Sequence, residues 1–146
     1  MEPVLCELPP AFWTVPYVGS RFPGSSAVAG LPGLAEGANC QLYAYEVLRH
    51  FGLTPPALRS SDLWADTRAT VRVPVARPLD LVLFNATDDA YGAHVGVWVG
   101  EGRVLHLCAE VGRPAVWEMA EFATRPRYRV VIGIKRVVDR ERNPAG

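Results

Sequence analysis

The sequence predicts an α+β domain in which one amphipathic helix precedes an antiparallel β-sheet. Two observations predict this class: helical periodicity is confined to one segment after residue 38, and strand-like segments follow one another after residue 78. Helical and strand segments that are segregated in this way are typical of α+β folds. The 146 residues are 49% hydrophobic and 21% charged, which suits one domain with one core over residues 1–146.

The two ends of the chain are predicted to lack regular structure. Proline and glycine cluster between residues 9 and 37, and they interrupt helices and strands. We therefore expect residues 1–36 to form an irregular segment that wraps over the core. Residues 137–146 are expected to form a tail.

The main helix is predicted from its ends as well as from its periodicity. Asn39 is a favourable N-cap, and Gly52 with the prolines after it ends the helix. One apolar face is formed by the i, i+3, i+4 and i+7 positions, which are Ala44, Val47, Leu48 and Phe51. A short helix is also predicted near Ser61 to Asp66.

Five later segments have the alternation and β-branched content of strands. They are "LDLVLF", "AHVGVWVG", "RVLHLC", "AVWEM" and "YRVVIGIKRVV". The second and third segments are joined by Gly100-Glu101-Gly102, which is a hairpin signal because glycine adopts positive φ without strain.

This hairpin predicts where two histidines lie. A three-residue loop centred on Glu101 places residue 96 opposite residue 106, so that His94 and His106 share one face of the sheet, about 7–8 Å apart at the backbone. A two-residue loop would send the two histidines to opposite faces. Gly96 has no side chain and leaves room between them.

Cys40 begins the predicted helix, where the helix dipole lowers the pKa of a thiol. If the helix packs with this end on the face that carries His94, a thiolate–imidazolium pair forms. His106 would then orient His94 through its other ring nitrogen. Such a set cleaves amides or esters through a covalent acyl-enzyme.

Other interpretations of the same residues stay open. Cys40 alone is typical of a small buried packing residue. Cys108 shares a predicted strand face with His106, so Cys40, His94, His106 and Cys108 also have the composition of a zinc site, although no CxxC or HxxxH pair supplies a compact half of it.

Further residues are candidates for the walls of a substrate groove. Trp98 shares the predicted face of His94 and is expected in the groove. Arg125, Arg127 and Arg129 alternate at the entry to the last strand, where they face a carboxylate-rich substrate or form a solvated edge.

Several of these motifs resemble the NlpC-type cell-wall peptidases, which are papain-like cysteine hydrolases of bacteria and their phages. "NCQLYAYEVLRHFGL" resembles the nucleophile helix of that family, usually DCSGLV, and "LDLVLF" resembles its GDLVFF strand. "AHVGVWVGEGRVLHL" is similar to the family hairpin HVGIYVGNGxxIHA, including the step of twelve positions between the histidines. "PYVGSRFPG" resembles PYxxGG, and "ALRSS" resembles the PRTS stretch that lines the groove.

The resemblance implies a papain-like fold without a cofactor and without a metal. It implies hydrolysis of the bond between D-glutamate and the diamino acid of peptidoglycan stem peptides. Cys40 is implied as the nucleophile, His94 as the general base and His106 as the orienting third member. Together with Trp98, the substrate-binding candidates are Tyr17, Asn39, Ser60 and Ser61.

The family pattern Asp-Cys-Ser-Gly is Asn39-Cys40-Gln41-Leu42 in this chain. In relatives that bind a free peptide amine, the aspartate and serine help to hold it. This departure favours an alternative, a non-catalytic module that binds peptides or cell wall. An acyl or peptidyl transferase, in which an amine replaces water, is a third interpretation.

Charge and composition limit the classes of molecule that this chain is expected to bind. Fifteen basic residues balance fifteen acidic ones, so no overall field attracts nucleic acid or an anionic membrane, and a peptide partner is expected. The start "MEPVLCELPP" lacks the features of a secretory signal, and three cysteines do not form a disulfide framework. We expect a cytoplasmic protein that is released by phage lysis or a secretion machine, or else an exported protein whose leader is removed. The oligomeric state is left open.

Overall fold

The structure is a computed structural model, and it describes residues 3–138. Most of the predicted tail at 137–146 lies outside the described residues. The helices are α1 (Pro3–Glu7), α2 (Ser26–Gly30), α3 (Cys40–His50), α4 (Ser60–Ala65) and α5 (Met119–Ala123), with 3₁₀ turns at Pro10–Trp13 and Pro126–Tyr128. The strands are β1 (Thr70–Val73), β2 (Leu81–Asn85), β3 (His94–Gly100), β4 (Arg103–Leu107), β5 (Pro114–Glu118) and β6 (Val130–Val137).

The predicted α+β class is confirmed. The six strands form one sheet in the order β1-β6-β2-β3-β4-β5, and every neighbouring pair is antiparallel. The predicted main helix is α3, and Asn39 caps it because its side-chain oxygen accepts a hydrogen bond of 2.8 Å from the Leu42 N–H. The one strand of the sheet that the sequence did not predict is β1.

The N-terminal segment is more regular than predicted, since residues 3–36 contain two short helices and a 3₁₀ turn. Arg21 organises part of it. Its buried guanidinium donates hydrogen bonds to the carbonyls of Gly37 at 2.7 Å, Leu31 at 2.7 Å and Gly33 at 2.9 Å. These bonds satisfy backbone oxygens that no helix or strand pairs, and they hold the segment before α3 in one conformation.

The two faces of the sheet differ in composition. We call one the aliphatic face; it packs against α3 and contributes Leu81, Leu83, Val95, Val97, Val99, Leu105 and Leu107 to the larger core cluster. We call the other the aromatic face; it carries His94 and His106 together with Val82, Phe84, Trp98, Val104 and Trp117. Phe122 of α5 and Tyr128 cover the aromatic face.

The hairpin differs from the predicted three-residue loop. Its tip consists of Glu101 and Gly102, and both have positive φ. A register shift between Trp98 and Gly100 compensates for the shorter tip, so that Val97 still lies opposite Leu105. The two histidines therefore share one face, as predicted, but through a bulge. A Cβ atom on Gly96 would meet the Val104 side chain, and it would lie 3.3 Å from the Cβ of His106.

Helix α3 packs on the other side from the one the thiolate prediction assumed. It lies on the aliphatic face, whereas His94 and His106 lie on the aromatic face. Cys40 is therefore not above the histidines; it lines a cleft together with His94, the first residue of β3. Within residues 3–138, none of the helices has both the length and the apolar character that crossing a bilayer requires.

Candidate active site

Cys40 is the first residue of α3 and lies beside the start of β3. The backbone amides of Val95, Gln41 and Cys40 itself lie close enough to the thiol to act against the rise in its pKa. Because Val95 follows His94 in the chain, the sulfur is placed next to the first residue of β3. The cap by Asn39 fixes this end of the helix, and with it the first residue of the helix, Cys40.

His94 and His106 are joined by a hydrogen bond of 2.9 Å between Nε2 of His94 and Nδ1 of His106. Both side chains are buried. Since Nε2 of His94 is engaged, Nδ1 is its remaining nitrogen for an exchange of protons with Cys40. Besides His106, the ring nearest His94 is that of Tyr128, at 4.7 Å between centroids, and the rings of Phe84 and Phe122 each lie at 6.3 Å.

Burial shifts the pKa of both reacting groups towards their neutral forms. It raises the pKa of the Cys40 thiol, against the opposing effect of its backbone hydrogen bonds and of the Arg59 charge. Burial and the charge of Arg127 lower the pKa of His94 to about 3. The free protein therefore favours a neutral thiol beside a neutral imidazole, which differs from the thiolate–imidazolium pair predicted from the sequence.

A cleft of about 270 Å³ opens over Cys40 and His94. The remaining residues that line it are Tyr17, Asn85, Ala86, Gly92, Ala93, Ala109, Arg127 and Tyr128. Tyr17 is held there by its backbone, since its N–H donates to the Gly112 carbonyl at 3.0 Å and it forms a bridge with Ala38. Burial and the nearby Cys40 raise the pKa of the Tyr17 hydroxyl, which stays a hydrogen-bond donor at neutral pH.

The structure brings one of the five substrate-binding candidates, Tyr17, into this cleft. Asn39 is buried in its capping role. Ser60 is also buried, and its hydroxyl accepts a hydrogen bond of 3.1 Å from the Ala93 N–H, which supports the cleft wall from behind. Ser61 and Trp98 do not line the cleft either; Trp98 packs against the cluster on the aromatic face.

Arg127 lines the cleft, whereas the sequence left open whether it faces substrate or solvent, and sequence reasoning missed Tyr128 as a cleft residue. The sequence placed the arginines at 125–129 on a strand, but residues 126–128 form a 3₁₀ turn and β6 begins at Val130. The turn directs Arg127 and Tyr128 to the cleft, whereas Arg125 pairs with Glu121 at 2.9 Å. Pro126 was the signal that could have indicated a turn.

Cys108 does not line the cleft, but it is adjacent to Tyr128, which does. It is buried, and its thiol hydrogen-bonds with the Tyr128 side chain. Across residues 3–138, no three side chains of metal-binding type are grouped closely enough to hold an ion.

Comparison with known proteins gives matches in structure and none in sequence. No protein-family model matches the chain, and no curated protein matches it. An NlpC/P60 family protein from Bacillus cereus aligns with 88% of this chain at a TM-score of 0.59 and 17% identity. NlpC2 from Trichomonas vaginalis aligns with 87% at a TM-score of 0.58 and 14% identity.

The chain has the NlpC/P60 fold. The predicted papain-like architecture of this type is thereby confirmed. The peptidoglycan hydrolase RipB from Mycobacterium tuberculosis has it too, with a TM-score of 0.55 and 18% identity over 87% of this chain. This chain spans 37% of the Bacillus cereus protein, 43% of NlpC2 and 59% of RipB, so each of those proteins has regions outside the shared NlpC/P60 fold.

Proposed function

We propose that this chain is a cysteine hydrolase that cleaves an amide bond in bacterial cell-wall stem peptides. Cys40 is the nucleophile, His94 the general base and His106 the residue that orients His94. The observation that carries the proposal is that Cys40 and His94 line the same cleft while the ring of His94 is hydrogen-bonded to His106. The NlpC/P60 fold, which a named peptidoglycan hydrolase shares, supports the choice of substrate.

Because Cys40 and His94 are both neutral before the reaction, we propose that proton transfer accompanies the attack on the substrate. Sγ of Cys40 attacks the amide carbon while its proton moves to Nδ1 of His94, so charge forms only as the reaction proceeds. The Cys40 N–H at the start of α3 and the Tyr17 hydroxyl are the donors proposed for the oxyanion. His94 then passes the proton to the leaving amine, which leaves a thioester on Cys40. Water, deprotonated by His94, hydrolyses the thioester and frees the thiol.

We propose further that Arg127 binds a carboxylate of the peptide. It lines the cleft, and its charge already acts on His94 and Tyr17. Among the described residues that line the cleft, none is acidic. The position of the family aspartate is occupied by Asn39, whose side chain is used in capping α3. A cleft of this charge suits a carboxylate better than a free amine.

The test is the release of new amino groups from purified peptidoglycan and from synthetic stem peptides. We expect Cys40→Ala to lower the rate by about four orders of magnitude, because it removes the covalent step. Cys6→Ala is the matched control: it removes the exposed thiol of α1, which does not line the cleft, and we expect its rate to stay within about threefold of the starting protein. Unchanged hydrolysis by Cys40→Ala would refute the mechanism.

A non-catalytic peptide-binding module is the second candidate, and the raised pKa of the Cys40 thiol favours it, since a protonated thiol is a poor nucleophile. This candidate predicts no release of amino groups by any form of the protein. It also predicts that calorimetry finds the same stem-peptide affinity before and after Cys40→Ala. Turnover by the starting protein rules this candidate out.

A further inference from the structure

One ring nitrogen of His106 has no hydrogen-bond partner. Nδ1 of His106 bonds to His94 at 2.9 Å, but Nε2 is fully buried and is the one buried side-chain nitrogen or oxygen without a partner among the described residues. His106 itself is 1% exposed, so bulk solvent does not reach this nitrogen. A buried polar atom that is left unpaired destabilises the fold unless its surroundings compensate.

The reaction assigned to His94 decides which atom of His106 carries a proton. Burial lowers the pKa of both imidazoles, so each ring holds one proton at neutral pH. If Nε2 of His94 donates to Nδ1 of His106, then Nδ1 of His94 is free to accept the Cys40 proton. If Nδ1 of His106 donates instead, His94 carries its proton on Nδ1 and is no base for Cys40. The first arrangement places the His106 proton on the unpaired Nε2.

The aromatic ring nearest to His106 is that of Trp117. The indole of Trp117 is 4.2 Å from the His106 ring between centroids, at an interplanar angle of 67°. In such an edge-to-face arrangement an imidazole N–H donates to the π cloud of the indole. The Phe122 ring is further away, at 4.7 Å, and it stacks on Phe84 at 4.0 Å.

The indole is itself held in place. The Arg125 guanidinium lies over the Trp117 ring at 4.2 Å from its centroid. Arg125 is fixed by hydrogen bonds to Glu121 at 2.9 Å and Glu110 at 3.2 Å. Trp117 therefore has little freedom to turn away from His106.

We propose that Trp117 is a positioning residue whose π face accepts the Nε2–H of His106. It thereby holds the two histidines in the arrangement that leaves Nδ1 of His94 unprotonated. The role given to His94 rests on the proposed function, whereas the statement about the His106 proton concerns the protein without substrate. Trp117 also packs in the cluster on the aromatic face.

The first experiment is a long-range ¹H–¹⁵N correlation spectrum of ¹⁵N-histidine-labelled protein at about pH 7, where both rings are neutral. The chemical shifts distinguish a protonated ring nitrogen from an unprotonated one. We expect a protonated Nε2 and an unprotonated Nδ1 for His106, and an unprotonated Nδ1 for His94. A proton on Nδ1 of His106 in the starting protein overturns the proposal without any variant.

The second experiment compares three variants at two tryptophan positions. In Trp117→Leu we expect the His106 signals to shift towards a mixture of tautomers, and in Trp117→Phe, which keeps a π face, we expect them to stay near their starting values. Trp98→Leu is the matched control, because Trp98 packs in the same cluster without a ring contact to His106 among the described contacts. Unchanged His106 signals in Trp117→Leu overturn the proposal.

Kinetics give a readout that loss of packing alone does not predict. On a stem peptide, we expect Trp117→Leu to lower kcat roughly fivefold at an unchanged KM, with rescue in Trp117→Phe. If no form of the protein hydrolyses the peptide while the His106 tautomer is the expected one, the proposed function fails and the role of Trp117 stands.

Discussion

The two faces of the sheet are built from alternate residues of the same strands, yet they perform different tasks. On β4, Leu105 enters the aliphatic face under α3, and its neighbour His106 enters the aromatic face. The aliphatic face excludes water with side chains that have no hydrogen bonds to satisfy. The aromatic face buries two imidazoles, which need a partner for every proton they carry. The fold thus keeps most of its hydrophobic stabilisation on one side and the proposed chemistry on the other.

Neighbouring substitutions on β4 give the largest expected effects. His106→Ala should lower kcat/KM on stem peptides by about two to three orders of magnitude, because His94 loses the bond that orients it. Leu105→Ala should instead lower the free energy of unfolding by about 3 kcal/mol through the cavity it leaves. Urea unfolding and peptide cleavage on both variants check this. If folded Leu105→Ala lost as much kcat/KM as His106→Ala, the two faces would not have separate roles.

A second prediction uses the pH dependence of stability. The folded-state pKa values of both histidines are lowered below the unfolded value of about 6.5, so below that pH the unfolded chain binds more protons. The free energy of unfolding should therefore fall as the pH falls from 7 towards 4, by up to about 1.4 kcal/mol per pH unit for each imidazole. The contribution of the two neutral imidazoles to stability is fully present above the unfolded pKa of about 6.5, and it is lost as the pH falls towards their folded-state values.

Two histidine variants test whether this pH dependence of stability comes from the histidines of the aromatic face. In His106→Gln the slope of unfolding free energy against pH should lose the share of one imidazole. His50→Gln is the control, since His50 is exposed at the end of α3. Urea titrations at four pH values compare the variants. If both variants lose the same amount of slope, the buried pair is not the source.

The local features of the molecule were predictable from the sequence. Helix α3 was found because its cap, its apolar period and its terminating glycine all lie within one short segment. The shared face of His94 and His106 followed from the alternation of residues along a hairpin, which is also local. The predicted turn length was wrong, but the bulge before Gly100 restored the same pairing.

The features that sequence reasoning missed depend on contacts between distant segments. Strand β1 is four residues long and is defined by pairing with β6, which lies at the other end of the described chain. The side of the sheet that α3 covers is decided by total packing, and no periodicity within α3 encodes it. The aromatic cover over the histidines comes from α5 and the turn at residues 126–128, so the burial that shifts their pKa values was invisible in the strand pattern.

The cleft wall gives a third, smaller prediction. Arg127→Ala should raise KM about tenfold for a stem peptide with a free carboxylate, because one charge-assisted hydrogen bond is lost. For the same peptide with that carboxylate amidated, the KM should not change. Arg68→Ala, which removes an exposed charge between α4 and β1, is the control for net charge. A similar rise in KM for both peptides would show that Arg127 acts on something other than the carboxylate.

The smallest expected effect concerns the hairpin tip that places His106 on the aromatic face. Glu101 has a φ of 54°, a backbone conformation that is strained for residues other than glycine, asparagine and aspartate. Asn followed by Gly is the preferred pair for such a tip, so Glu101→Asn should raise the free energy of unfolding by about 0.5–1 kcal/mol.

Glu101→Ala is the control: it removes the same charge but keeps the strain, and it should give no gain. Thermal unfolding of both variants separates the two causes, because a gain in Glu101→Ala as large as that in Glu101→Asn would assign the effect to charge. A gain confined to Glu101→Asn would show that this tip is strained, and that the bulge before Gly100 keeps the histidines together at that expense.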